Sequence, residues 1–203
     1  MIAAARTNRL AGMDTNTLMR LTGPAGLLAA CIGIPSDLYH FTIDSRASAA
    51  GTFLFRAHGI GLVAAMILLV LVLAGIALRL GAGLGLPGRI AIGMAYVGTL
   101  LVLGNIATEA FMMPLAPEAL DDPTGYPLVT IIVSFALFAA GWFGVGLSAG
   151  RSGLAAPPAI LALCLGALYG FTPFPGSYSL LLLGIAGTAW SMARERQPEL
   201  QHA

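Results

Sequence analysis

The stretch from Phe53 to Leu80 limits the fold of this chain more than any other feature. Its centre, Leu68-Leu69-Val70-Leu71-Val72-Leu73, is hydrocarbon throughout, and Arg56 and Arg79 stand near its two ends. A helix of about 20 apolar residues is enough to cross the hydrocarbon core of a bilayer. The stretch is therefore predicted to be a transmembrane helix that spans with some tilt.

The composition extends this prediction to the whole chain. Of its 203 residues, 58% are hydrophobic and only 9% are charged, with a mean hydropathy of +0.87. A soluble domain carries about 25% charged residues. The net charge of +1 and the lack of any basic run argue against nucleic acid as a partner. We therefore expect an all-α integral membrane protein without a separate soluble domain.

Further apolar segments lead us to expect a six-transmembrane-helix bundle. The expected organisation is a cytoplasmic N-terminal tail at 1–20, one transmembrane domain at 21–193 and a cytoplasmic C-terminal tail at 194–203. The expected spans lie at about 21–41, 53–80, 90–113, 128–147, 158–170 and 177–192. The last two are short, and by length alone they fit a re-entrant pair as well as two thin spans.

The arginines favour two spans there. All ten basic residues are Arg, and six alternating spans place all but Arg46 and Arg56 on one side of the membrane. That distribution satisfies the positive-inside rule, whereas an odd number of spans would place Arg194 and Arg196 on the outer side of the membrane. We expect a multi-pass protein of a bacterial cytoplasmic membrane with both termini cytoplasmic and the lipid bilayer as its first partner.

Six polar side chains are expected together on the exoplasmic side: Asp37, His40, Arg56, His58, Asn105 and Glu109. Glu109 is the most informative, because an ionisable group among apolar residues is costly and is a functional candidate by default. Asp37 and His40 are three residues apart and Asn105 and Glu109 four apart, so each pair shares a helix face. The sequence predicts one polar pocket that opens to the outer leaflet.

The first functional hypothesis is a membrane-embedded enzyme. Carboxylates and histidines with tuned acidity perform general acid–base chemistry, and the expected substrate is a lipid or terpenoid that is isomerised or cyclised after protonation. The candidate catalytic residues are Glu109, Asp37, His40 and His58. The candidate substrate-binding residues are Asn105, Arg56, Tyr39 and Phe111.

The alternative is a non-enzymatic membrane protein, such as a sensor, an accessory subunit or a transporter-like ligand binder. In that case Arg56 neutralises Glu109 or Asp37, and the polar cluster is structural. Two histidines and two carboxylates would also suit zinc or iron, but no single helix carries a His-x-x-x-His or Glu-x-x-His pair. We expect no metal and no other cofactor, and a hydrophobic small molecule as partner.

Short elements after residue 86 resemble a group of small bacterial multi-span membrane proteins. They are Leu86-Pro87-Gly88-Arg89, the stretch from Glu109 to Glu118, Gly141-Trp142-Phe143-Gly144-Val145, Arg151-Ser152-Gly153-Leu154, the prolines at Pro173 and Pro175, and Gly187-Thr188-Ala189-Trp190. The resemblance implies the six-helix architecture and the placement of Glu109, and it lends no reaction.

Overall fold

The computed structural model describes residues 15–42, 46–115, 128–170 and 177–194. They form six principal helices: α1 Thr15–Leu38, α2 Phe53–Leu80, α3 Leu86–Phe111, α4 Leu128–Arg151, α5 Pro157–Tyr169 and α6 Ser177–Arg194. A helical turn, Arg46–Ala49, precedes α2, and 3-10 turns occur at Tyr39–Thr42, Gly81–Gly83 and Met113–Leu115. These residues contain no strand, so the all-α prediction is confirmed for the part of the chain described.

Four of the helices are long and apolar enough to cross a membrane. The qualifying segments are Thr17–Leu38, Phe53–Leu80, Leu86–Phe111 and Val129–Arg151. The fifth helix, Pro157–Tyr169, is apolar but shorter. The expected six-helix arrangement is thus present, with four candidate spans among its described residues.

Several helices extend beyond the apolar segments that predicted them. Helix α1 begins at Thr15 instead of 21, α3 at Leu86 instead of 90, and α4 continues to Arg151 instead of 147. The reason is that hydropathy marks the apolar part of a helix, whereas hydrogen bonding carries the helix on into polar residues. Helix α3 also ends at Phe111, before the predicted 113, because Pro114 disfavours the helical conformation just ahead of it.

Local signals set both ends of α2. The side chain of Thr52 caps its start by accepting a hydrogen bond from the Phe55 N–H at 3.2 Å, which satisfies one of the N–H groups that a helix start leaves without a partner. At the other end Gly81 has φ +51° and donates its N–H to the Ala77 carbonyl. A residue without Cβ adopts that left-handed conformation at little cost.

The six helices pack as a closed ring. Each helix contacts its neighbours along the chain, and α6 closes the ring by packing on α1. Large side chains fill the centre, so the ring is a packed bundle; the fully buried ones include Leu69, Leu73, Phe138, Trp142, Leu181 and Ile185.

Glycines let two helix pairs approach closely. A Cβ built on Gly98 would lie 2.2 Å from the backbone N of Phe138, and one built on Gly141 would lie 2.2 Å from the backbone N of Ala95. The α3 and α4 backbones are therefore in direct contact. Gly166 and Gly184 play the same part between α5 and α6. Small residues at crossing points are typical of transmembrane bundles.

The ring gives the bundle two chemically different ends. We call one the Asp37 end: there α1, α3 and α5 finish and α2, α4 and α6 begin. We call the other the arginine end, because every described arginine except Arg46 and Arg56 lies there: Arg20, Arg79, Arg89, Arg151 and Arg194. The two described carboxylates, Asp37 and Glu109, lie at the Asp37 end.

Candidate functional site

Asp37 lies in the last turn of α1 and is only 1% exposed. Its Oδ2 accepts three hydrogen bonds from the start of α6: from the Tyr178 N–H at 3.0 Å, the Ser179 N–H at 2.8 Å and the Ser179 hydroxyl at 2.8 Å. A helix start leaves its first four N–H groups without partners inside the helix. Asp37 satisfies two of them from a different helix.

This arrangement explains how a carboxylate can be buried here. A buried charge is tolerated when hydrogen bonds and an opposite potential compensate for the lost water, and the start of a helix carries a partial positive charge. Asp37 therefore serves first to hold α1 and α6 together.

His58 lies in the first turns of α2 and is buried. Its Nδ1 is hydrogen-bonded to the Ser36 carbonyl oxygen. A carbonyl oxygen can only accept, so the proton sits on Nδ1 and the His58 ring is the donor. The Ser36 carbonyl is one of the last four of α1, which have no partner within the helix. His58 thus caps α1 from outside.

Aromatic rings surround this polar contact. The Tyr39 ring centroid lies 5.4 Å from that of His58, and the Phe55 centroid lies 6.0 Å from it. On the α6 side Tyr178 is buried, 6.4 Å from Phe135 and 6.0 Å from Phe138 by ring centroids. Asp37 and His58 consequently lie in largely aromatic, apolar surroundings.

Asn105 and Glu109 form a second polar position, on α3. Both side chains are half-buried, and solvent reaches neither Nδ2 of Asn105 nor Oε1 of Glu109. Asn105 Nδ2 has no hydrogen-bond partner within the part of the chain that the structure describes. An amide N–H that is buried without an acceptor costs about 1–3 kcal/mol. At the Asp37 end, the Nδ2 group of Asn105 is therefore a hydrogen-bond donor that a ligand could use.

The two polar positions lie at the same level of the bundle. A Cβ built on Gly59 would lie 2.4 Å from the Ala110 Cβ, so α2 and α3 touch there. His58 precedes Gly59 in the chain, and Glu109 precedes Ala110. The α2–α3 crossing therefore brings the backbone positions of His58 and Glu109 to one height.

The other predicted site residues are placed differently. Arg56 is exposed, and the groups that hydrogen-bond Asp37 come from α6 instead of from this guanidinium. Phe111 is also exposed, at the end of α3. His40 belongs to the turn Tyr39–Thr42, but its side chain lies outside the described part of the structure. The structure brings together Asp37, His58 and Tyr39.

Tyr178 and Ser179 were not predicted to be site residues. The signal for them is in the sequence: Ser177-Tyr178-Ser179 opens the last apolar segment just after the prolines, at the same end as Asp37. Serine is common at helix starts because its hydroxyl bonds to nearby backbone groups. A buried carboxylate at that end needs donors, and a helix start supplies them.

Within the described ranges, no three or more His, Cys, Asp and Glu side chains come together in a way that could hold a metal ion. No protein-family model, no curated protein and no solved structure matches this chain. Its function is therefore inferred from the geometry of the two polar positions.

Proposed function

We propose that this chain is an integral membrane protein whose six helices cross the bilayer, with the Asp37 end facing the exoplasmic side of a bacterial cytoplasmic membrane and both termini in the cytoplasm. Four long apolar helices support a membrane location. The orientation is supported by the five arginines at the arginine end, because positive charges favour the cytoplasmic side. Helix α5 has 13 residues, about 20 Å at ~1.5 Å per residue, and would cross only where the bilayer thins locally.

Cysteine labelling tests this topology. Both natural cysteines, Cys31 and Cys164, are first replaced by serine, and then either Gly51→Cys or Gly83→Cys is introduced. The two glycines lie at opposite ends and both have open space where a Cβ would be. In intact cells a membrane-impermeant maleimide should label Gly51→Cys, and Gly83→Cys only after permeabilisation. The reverse pattern would invert the orientation, and release of the protein from membranes by alkaline carbonate would end the membrane proposal.

Within that membrane location, we infer a non-enzymatic ligand-binding role, with a hydrophobic molecule that carries a polar acceptor bound at Asn105 and Glu109. The observation that carries this inference is the buried Nδ2 group of Asn105. An acceptor on a ligand that displaces the neighbouring side chains would satisfy it. Asp37 already accepts hydrogen bonds from the start of α6, and these bonds support a structural role for it.

An acid–base enzyme is the second candidate, with Glu109 as the acid and His58 as its partner. It would isomerise a lipid or terpenoid, or cyclise it after protonation. The observations in its favour are that Oε1 of Glu109 is out of contact with solvent and that His58 and Glu109 flank the same α2–α3 crossing. A site that excludes water strengthens the electrostatic interactions inside it.

Ligand retention tests the proposed binding site at Asn105. The protein is purified in a mild neutral detergent, and hydrophobic molecules that co-purify are identified by native mass spectrometry. The wild type and Thr108→Val should carry the same molecule, because the Thr108 hydroxyl donates to the Gly104 carbonyl of its own helix. Asn105→Leu should lose it. Equal retention by Asn105→Leu would overturn the binding site.

Glu109→Gln decides between binder and enzyme, because glutamine keeps the shape of the side chain but has no acidic proton to transfer. A binder should retain the same unmodified molecule in Glu109→Gln and in the wild type. An enzyme should accumulate a substrate in Glu109→Gln that differs chemically from the molecule recovered with the wild type.

A further inference from the structure

A cavity of about 290 Å³ lies at the arginine end, far from the polar positions described above. The turn between α2 and α3 forms one wall and the end of α4 forms the other. The lining residues that matter chemically are Gly83 and Gly85 on the turn, Pro87 in the first turn of α3, Ser148 and Arg151 on α4, and Ser152 just after it.

Within the described ranges, the charged side chains near this cavity are all arginines. Arg151 is exposed and lines the cavity directly. Arg89 lies beside it on α3, where its Nε donates to the carbonyl of Leu84, a lining residue, at 3.2 Å. The two carboxylates within the described ranges, Asp37 and Glu109, are at the opposite end of the bundle. The cavity therefore has a positive potential and suits an anion.

The backbone adds to the same preference. Gly85, which precedes the first residue of α3, has no side chain to cap the helix. Gly85, Pro87 and Gly88 all line the cavity, so the start of a 26-residue helix borders it. Helix starts favour negative charge through their N–H groups and dipole, which strengthens the anion preference that Arg151 establishes.

Exposed apolar side chains lie next to the cavity on the outer surface of the bundle. Leu86 is 72% exposed and Ile90 is 52% exposed on α3, and Leu147 is also exposed, next to the lining residue Ser148 of α4. A ligand that suits this site carries an anionic group and hydrocarbon chains together. Free phosphate would use only the cavity.

We propose that this cavity binds the phosphate group of an anionic phospholipid, with Arg151 and the start of α3 against the phosphate and the acyl chains along Leu86, Ile90 and Leu147. A guanidinium can donate two parallel hydrogen bonds to phosphate oxygens. The choice of a lipid over free phosphate rests on the proposed membrane location. The cavity's charge does not depend on that location.

The test uses the full chain purified in a neutral detergent. Thermal unfolding is followed while phosphatidylglycerol, phosphatidylcholine or inorganic phosphate is added, for the wild type, Arg151→Gln and Arg20→Gln. Arg20 is exposed at the same end but does not line the cavity, so Arg20→Gln controls for net charge. Native mass spectrometry counts the lipids that each variant retains.

Phosphatidylglycerol should raise the unfolding temperature of the wild type and of Arg20→Gln, while phosphatidylcholine and inorganic phosphate should not. Arg151→Gln should bind phosphatidylglycerol about tenfold more weakly and retain fewer copies. The same affinity in Arg151→Gln and the wild type would overturn the site. Stabilisation by inorganic phosphate equal to that by phosphatidylglycerol would overturn the lipid assignment. A protein that fails the labelling test but keeps the Arg151-dependent effect loses its membrane location and retains the anion site.

Discussion

Oδ2 of Asp37 accepts both the backbone N–H and the hydroxyl of Ser179, each at 2.8 Å, across a sequence separation of 142 residues. Asp37 belongs to the first helix and Ser179 to the last, so these bonds join the ring where its two ends meet. Because α1 and α6 are not chain neighbours, this polar contact fixes their relative height more directly than apolar packing does.

The first prediction concerns the strength of this contact. Asp37→Ala leaves two N–H groups of α6 without their acceptor, and hydrogen bonds to a charged group contribute about 1.5–3 kcal/mol each. We expect Asp37→Ala to lower the free energy of unfolding by at least about 3 kcal/mol and Ser179→Ala by about 1.5 kcal/mol. Asp37→Asn should fall between them. Thermal unfolding in detergent, followed by circular dichroism, measures the order.

A matched control is available on the same helix. The Ser191 hydroxyl donates to the Gly187 carbonyl of its own helix, at 2.9 Å. Ser191→Ala should therefore be close to neutral. If Ser191→Ala and Ser179→Ala lowered the free energy of unfolding equally, the bond between helices would contribute no more than a bond within one helix.

The second prediction concerns the crossing of α3 and α4. Gly98→Ala would place a methyl group 2.2 Å from the backbone N of Phe138, and backbone atoms cannot move aside as a side chain can. The two helices must separate, and overpacking typically costs about 1–3 kcal/mol or more. We expect a marked loss of folded protein, measured as the monodisperse fraction in size-exclusion chromatography.

Gly93→Ala is the comparison that isolates the contact. Gly93 is on the same helix, and a Cβ there would meet nothing within 4 Å. Alanine is favoured over glycine in a helix by about 1 kcal/mol, so this variant should be at least as stable as the wild type. If both variants lost stability equally, helix flexibility and not close packing would explain the glycines.

The third prediction concerns a buried polar pair in the core. Nε1 of Trp142 donates to the Thr99 hydroxyl at 3.0 Å, and both residues are fully buried. Thr99→Val keeps the volume but leaves the indole N–H without an acceptor, at a cost of about 1–3 kcal/mol. Thr99→Ser should retain most of the stability. Intrinsic fluorescence during unfolding reports on this pair when Trp190→Phe leaves Trp142 as the one tryptophan.

Thr188→Val is the control for Thr99→Val. Thr188 is fully buried too, but its hydroxyl donates to the Gly184 carbonyl of its own helix at 2.9 Å. Thr188→Val removes this hydroxyl, and the Gly184 carbonyl keeps its hydrogen bond within the helix. Equal destabilisation by the two valine variants would contradict the importance of the indole bond.

The helices themselves could be predicted because apolar runs identify them directly. The second segment was predicted at 53–80, and α2 occupies those residues. Helix ends were less predictable, since α1 starts at Thr15 and α4 ends at Arg151 through residues that hydropathy scores as polar. Whether all six helices cross a membrane depends on the bilayer as well as on the chain.

The site was predictable only in its coarse placement. The alternation of helices placed Asp37, His58 and Glu109 at one end, and the structure has them there. The partner of Asp37 was not predictable in the same way, because it depends on α6 closing the ring onto α1. The structural alternative had Arg56 neutralise Glu109 or Asp37. The donors that hydrogen-bond Asp37 are instead the uncharged groups of Tyr178 and Ser179.

The last prediction concerns the protonation of His58. Its Nδ1 donates to the Ser36 carbonyl, which fixes the proton on Nδ1 because that oxygen can only accept. Nitrogen-15 NMR of the imidazole should show the Nδ1–H tautomer in the neutral ring. His58→Asn places an amide donor close to the position of Nδ1 and should unfold near the wild-type temperature. His58→Leu removes the donor, and leaving the carbonyl unsatisfied costs about 1–3 kcal/mol. Observation of the Nε2–H tautomer, or equal stability of the leucine and asparagine variants, would mean that His58 does not cap α1.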